Sequence, residues 1–111
     1  MSEVIQFADF SKVEIRVGQI VAAEIPDWSN KLLQFTVNFG EELGQRTIFS
    51  GVKKWYAPED FLQKKFLFVV NLAPKKMGEA VSQGMMLMMD AEDKPELIAL
   101  PESAPVGAAV G

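Results

Sequence analysis

Apolar residues recur at every second position through Leu33, Phe35, Val37 and Phe39, with Gln34, Thr36 and Asn38 between them. A period of two is the mark of a strand with one face on a core. Upstream, Val13-Glu14-Ile15-Arg16-Val17 alternates in the same way, and after Gly18 the phase moves to Ile20 and Ala22. A glycine at a phase change predicts a bulge or sharp bend, which lets one long strand serve two sides of a small barrel. The two glycines of Gly40-Glu41-Glu42-Leu43-Gly44 predict a hairpin turn into a third strand over residues 45–52. Residues 66–70 are apolar throughout and predict a strand, running on to residue 72, that is buried on both faces. Met85-Met86-Leu87-Met88-Met89 predicts a fifth, with Met86 and Met88 on one face and Met85, Leu87 and Met89 on the other. A last short strand is expected over residues 96–100, then a tail to residue 111.

Between strands three and four, residues 55–62 predict a short helix. Pro58 suits its first turn, and Glu59 and Asp60 suit the positive end of its dipole. Trp55 is expected to pack this helix over the open end of the barrel, with base stacking by Trp55 and Tyr56 as the alternative. Strand four and strand five are joined by about a dozen residues, longer than an ordinary hairpin loop of ~2–5, and loops of that length are often functional. This connection holds Asn71, Pro74, Lys75, Lys76, Gly78, Ser82, Gln83 and Gly84. It supplies neutral donors and acceptors beside two point charges.

Asn71-Leu72, Pro74, Lys76-Met77, Ser82 and Gly84-Met85 resemble the signature of the tRNA-binding OB-fold family, Asn-Leu-x-Pro-x-Lys-Leu-x-Gly-x-x-Ser-x-Gly-Met. Val13 to Val21 is similar to that family's first strand, and Phe49-Ser50-Gly51-Val52 to the end of its third. The resemblance runs from about Asp9 to Leu100. Family members include the C-terminal appendix of methionyl-tRNA synthetases, free-standing tRNA-binding proteins and the CsaA export-related chaperone. Where many members read Arg-Gly, this chain reads Gly78-Glu79, which removes a cation and adds an acid. The element order fits the same conclusion: an all-β OB-fold, a five-stranded Greek-key barrel with a short helix between strands 3 and 4. Residues 1–111 are expected to form one domain, with a core over about 9–100.

Composition narrows the chemistry. The chain has no Cys and no His, so thiol chemistry, the commonest general base and the commonest zinc ligand are all absent. No nucleophile elbow, P-loop or dinucleotide fingerprint appears, and neither an enzyme nor a cofactor is expected. The acids Asp90, Glu92, Asp93 and Glu96 lack calcium-loop spacing and read as a solvated turn. No apolar run approaches the ~20 residues of a membrane helix. Met1-Ser2-Glu3-Val4 lacks a signal-peptide pattern, so no membrane association and a cytoplasmic location are expected.

The net charge of −4 is unevenly spread. Residues 53–76 hold six lysines against two acids, a net +4, while residues 1–30 carry −3 and residues 77–111 carry −5. Local potential, not global charge, governs docking to a polyanion.

The resemblance therefore implies a tRNA-binding module acting in trans, with Lys31, Ser50, Lys53, Lys54, Asn71, Lys75, Lys76, Ser82, Gln83 and Met85 on or near its nucleic-acid face. Ser82 is expected to meet the RNA, and Asn71 either to tie the loop together or to reach a ribose or phosphate. The alternative is a CsaA-like chaperone that takes unfolded or pre-secretory proteins on the methionine strand; an aminoacyl-tRNA synthetase is a further candidate partner. A homodimer is expected as well, through Phe7 and Phe10 in the lead-in and Pro105 and Val106 in the tail.

Overall fold

The structure, a computed structural model, describes residues 2–111. Its frame is a single long strand, β1 (Ile15–Glu24). The first half of β1 pairs antiparallel with β4 (Lys65–Val69), and its second half pairs with β2 (Leu33–Asn38). Beyond β2 lies β3 (Gln45–Ser50), and beyond β4 lies β7 (Met85–Met86), giving the order β3-β2-β1-β4-β7. This nearly closed OB barrel is the architecture that the alternation predicts.

The bend in β1 differs in place and cause from the expectation at Gly18. The register shift falls between Ile20 and Ala22. Gly18 is needed for space: a Cβ there would lie 2.7 Å from Phe39 Cε1 and 2.9 Å from Phe68 Cε1. The strand passes directly over the core, and no larger residue fits beneath it.

That core is aromatic. Phe35, Phe39, Phe61, Phe66 and Phe68 are all fully buried, with Leu33, Val37 and Ile48 filling between them. Burial of each such side chain contributes about 1.5–3 kcal/mol. Phe39 and Phe68 meet edge to face at 5.3 Å, and Phe35 lies 4.6 Å from Phe61.

Two expectations about the connection after β3 are corrected. The helix is a single 3-10 turn, Pro58–Asp60, in which the Asp60 carboxylate accepts the Ala57 N–H at 2.8 Å. A proline and two acids in eight residues favour a capped turn over a longer helix. Nor is Trp55 the residue that closes the barrel end. Phe61 does so, ringed by Phe35, Tyr56 and Phe66, while Trp55 stays 38% exposed. The Tyr56 hydroxyl donates to the Pro95 carbonyl at 2.7 Å, tying this connection to the hairpin of β8 (Met88–Asp90) and β9 (Pro95–Leu97). The acidic residues Asp90, Glu92 and Asp93 lie at the turn of that hairpin.

The tail joins the barrel sheet. Strand β10 (Ala109–Val110) pairs with Ile15 and Arg16 at the start of β1. The Arg16 guanidinium donates to the Gly107 carbonyl at 2.9 Å and pairs with Glu14 and Glu42. Hydrogen bonding to Glu14 raises this guanidinium above its ordinary pKa. Its stabilising effect is present below the ordinary arginine value and lost only as pH rises through the raised one, so the latch holds throughout the neutral range. The Lys65 ammonium donates to the carbonyls of Glu102 and Ala104, which fixes the turn before the strand. At the other terminus a one-turn helix, α1 (Phe7–Phe10), precedes β1. The single strand expected over residues 85–89 is broken at Leu87: Met85–Met86 pairs with β4, and Met88 begins β8 in a separate sheet; Met86 is buried, whereas Met85 and Met89 are about half exposed.

Candidate nucleic-acid interface

The connection after β4 is mostly not a loop. Lys75–Met77 (β5) and Ala80–Ser82 (β6) form a hairpin in the register Lys75↔Ser82, Lys76↔Val81, Met77↔Ala80. Its two-residue turn is Gly78-Glu79, with Gly78 at φ +59°. Glycine at the first central position suits the primed turns that match strand twist. A Cβ on Gly78 would run into the ring of Trp28, which itself packs on Phe49 at 5.7 Å. The replacement of the usual loop cation thus brings the hairpin tip down onto an indole.

The end of this hairpin closes the barrel. The Ser82 hydroxyl accepts the Phe49 N–H at 3.0 Å and donates to the Gly84 carbonyl at 3.0 Å. The Gln83 side-chain oxygen accepts the Thr47 N–H at 2.9 Å, and the Gln83 N–H donates to the Thr47 carbonyl at 2.8 Å. Arg46 reaches across to the Val70 carbonyl at 2.6 Å. Side chains therefore do the work of a strand ladder between β3 and the entry to β7. Gly84, at φ +147°, allows the approach: an added Cβ would stand 2.9 Å from the Val69 carbonyl oxygen. Asn71 is occupied too, accepting the Glu14 N–H at 2.8 Å and donating to the Lys12 carbonyl.

The expected site residues accordingly separate. Asn71, Ser82 and Gln83 direct these polar atoms at the protein itself, and Ser82 is only 5% exposed. Ser50 is half-buried at the end of β3, opposite Leu33. Lys75 and Lys76 are exposed on the hairpin, and Lys75 shares a small groove with Phe49, Met77 and Met85.

Lys31, Lys53 and Lys54 do come together. The Ser29 hydroxyl accepts the N–H groups of Lys31 and Leu32 at 3.2 and 3.3 Å, which shapes the turn between β1 and β2. The Lys53 N–H donates to the Lys31 carbonyl at 3.3 Å. Val52 is anchored in the core, and both Trp55 and Tyr56 donate N–H to its carbonyl at 3.0 Å, so the chain between them is held out as a tight turn. These two turns enclose a cleft of about 690 Å³ lined by Asn30, Lys31, Leu32, Gly51, Lys53, Lys54 and Trp55. Among the described residues both ion pairs belong to Arg16, and no carboxylate stands within ion-pair distance of the amines at the cleft or on the hairpin. Trp28 bridges the two regions, touching Gly78 at the hairpin tip and sharing a shallow hollow with Asp27 and Lys53. Sequence periodicity could not single out Trp28 or Asn30, since both lie in a turn.

Residues 15–109 match the model of the family described as "Putative tRNA binding domain". The methionine–tRNA ligase of Psychrobacter arcticus is 39% identical over 107 residues, 96% of this chain. The chain spans only 15% of the length of that relative. Among solved structures, a MetRS-related protein from Pyrococcus horikoshii superposes with a TM-score of 0.92 at 40% identity, covering 99% of this chain and all of that one. The chaperone CsaA from Bacillus anthracis superposes at 0.86 with 25% identity, covering 98% of this chain and all of that one. With the match running from the first barrel strand to the last, the chain belongs to the tRNA-binding domain family.

Proposed function

We propose that this protein binds folded tRNA in trans, as a homodimer and without catalysing a reaction of its own. The observation that carries this reading is the convergence of Lys31, Lys53 and Lys54 on one cleft, beside a hairpin bearing Lys75 and Lys76, in a chain of net charge −4. Contacts of this kind go to phosphates; they position an RNA without reading its sequence, so selection rests on shape. Titration with bulk tRNA across a salt series tests it. For ~2–4 neutralised phosphates, log K falls with log salt at a slope near −0.7 to −0.9 per phosphate. Binding that ignores salt would reject the reading.

Dimerisation is supported by an apolar surface at the chain ends. Phe7 is 80% exposed, and Phe7, Phe10, Val13, Ile15, Ala109 and Val110 line one groove. Pro105 and Val106 contribute less, since Val106 is half-buried against its own barrel. A mass of twice 12.3 kDa by light scattering is expected, reverting toward one chain when residues 1–8 are removed. A second reading, binding of unfolded protein, draws on the likeness to CsaA and on the exposed Leu72, Val81 and Met85 near the hairpin. A client that binds without competition from tRNA would favour it.

A further inference from the structure

We infer that the cleft beside Trp55 takes an unpaired nucleotide, its base lying against the indole and its phosphates at the lysines; this rests on the tRNA-binding reading above. The barrel buries most of its large rings, and the exposed Phe7 and Phe10 line a different groove at the N-terminal end. Phe35, Phe39, Phe61, Phe66 and Phe68 are inaccessible, and Trp28 is half-buried against Phe49 and the hairpin tip. Trp55, by contrast, pairs with no other ring among the described residues and opens onto the largest cleft described above. Its one close polar neighbour is the Lys54 ammonium, 5.4 Å from the ring centroid.

The lining has three cations, one neutral amide at Asn30 that can both donate and accept, the apolar Leu32, and no acid. A stacking surface with cations beside it is how single-stranded nucleic acid is held. Duplex RNA has little to offer such a cleft. Its bases are stacked on one another and its reachable surface is phosphate and ribose. Gly51 adds to the argument, because a Cβ there meets nothing within 4 Å and its φ is not positive. Neither packing nor backbone conformation requires that glycine, which is one of the residues lining the cleft.

Fluorescence anisotropy with labelled RNA tests the inference on the intact protein. The probes are a tRNA transcript, a single strand of about ten nucleotides, a blunt RNA duplex of equal length and a polyglutamate peptide. The single strand is expected to bind more tightly than the duplex at the same salt. Trp55→Ala is expected to weaken single-strand binding about tenfold, with the salt slope unchanged, and Trp55→Phe to recover most of the loss. Gly51→Leu adds bulk at the cleft while leaving the indole and the lysines in place; it should melt with the parent protein and bind as poorly as Trp55→Ala. If Trp55→Ala fails to fold, Gly51→Leu decides alone. The inference is overturned if both variants hold the single strand as the parent does, if duplex binds equally well, or if polyglutamate outcompetes RNA. Should tRNA bind and respond to Lys31→Ala and Lys53→Ala but not to these variants, this inference fails and the tRNA reading stands. Should no RNA bind the parent protein, both fail.

Discussion

The seam at Ser82 and Gln83 and the cleft at Lys31, Lys53 and Trp55 are built from similar materials and use them in opposite ways. At the seam, polar side chains satisfy the backbone of the neighbouring strand, and the Arg46 guanidinium is itself directed at the Val70 carbonyl. At the cleft, the backbone is satisfied by its own turns, and the side chains face solvent with their hydrogen-bonding capacity and charge unspent. A buried polar group costs free energy unless paired, so it is held to one geometry; a solvated amine is not. The denser motif in the sequence therefore marks barrel closure, and the proposed recognition surface lies in the plainer turns beside it.

The largest test of this contrast is Gly84→Ala. Positive φ and a Cβ 2.9 Å from the Val69 carbonyl oxygen together should cost roughly 2–5 kcal/mol, read as an early thermal transition. Ser82→Ala comes next. It leaves the Phe49 N–H without its acceptor and should cost about 1–3 kcal/mol, while the folded fraction keeps its RNA affinity. Weakened RNA binding with an unchanged melting curve would erase the distinction between seam and cleft. The double change Lys31→Ala with Lys53→Ala should do the reverse: melting is unaltered, and the salt slope for a single strand or tRNA becomes shallower by about 1.4–1.8. Smallest of all is Asp27→Asn, which removes the acid sharing a hollow with Lys53 and Trp28. A modest gain in RNA affinity, under about 1 kcal/mol and fading as salt is raised, is expected from competition for surface charge.

Strands were legible where one face is buried, because Leu33, Phe35, Val37 and Phe39 announce their side of the sheet directly. The opposite faces of Met85 and Met86 were legible for the same reason, but the break at Leu87 was not. The hairpin of β5 and β6 was not, since Lys75-Lys76-Met77 and Ala80-Val81-Ser82 lie on the surface and show little periodic contrast. The docking of β10 depends on Arg16 reaching Gly107, a partner 91 residues away, which no local pattern records. Phe61 holds the place expected of Trp55, because composition says that a ring will cover the barrel end but not which of two nearby rings will. The cluster of Lys31 with Lys53 and Lys54 was foreseeable only through the family resemblance, for it joins the two turns that flank the β2–β3 hairpin at its open end.

Closure by side chains also leaves a kinetic signature. In β3, the residues facing β2 alternate with those facing the seam, and the amide protons of Thr47 and Phe49 are held by Gln83 Oε1 and Ser82 Oγ alone. A ladder amide is released only when strands part, whereas these two are released when a pair of side chains swings away. Under native conditions, Thr47 and Phe49 should exchange with deuterium faster than Ile48 between them, and Ser82→Ala should accelerate Phe49 first. Two adjacent odd-numbered amides thus report how often the barrel opens along one line without unfolding.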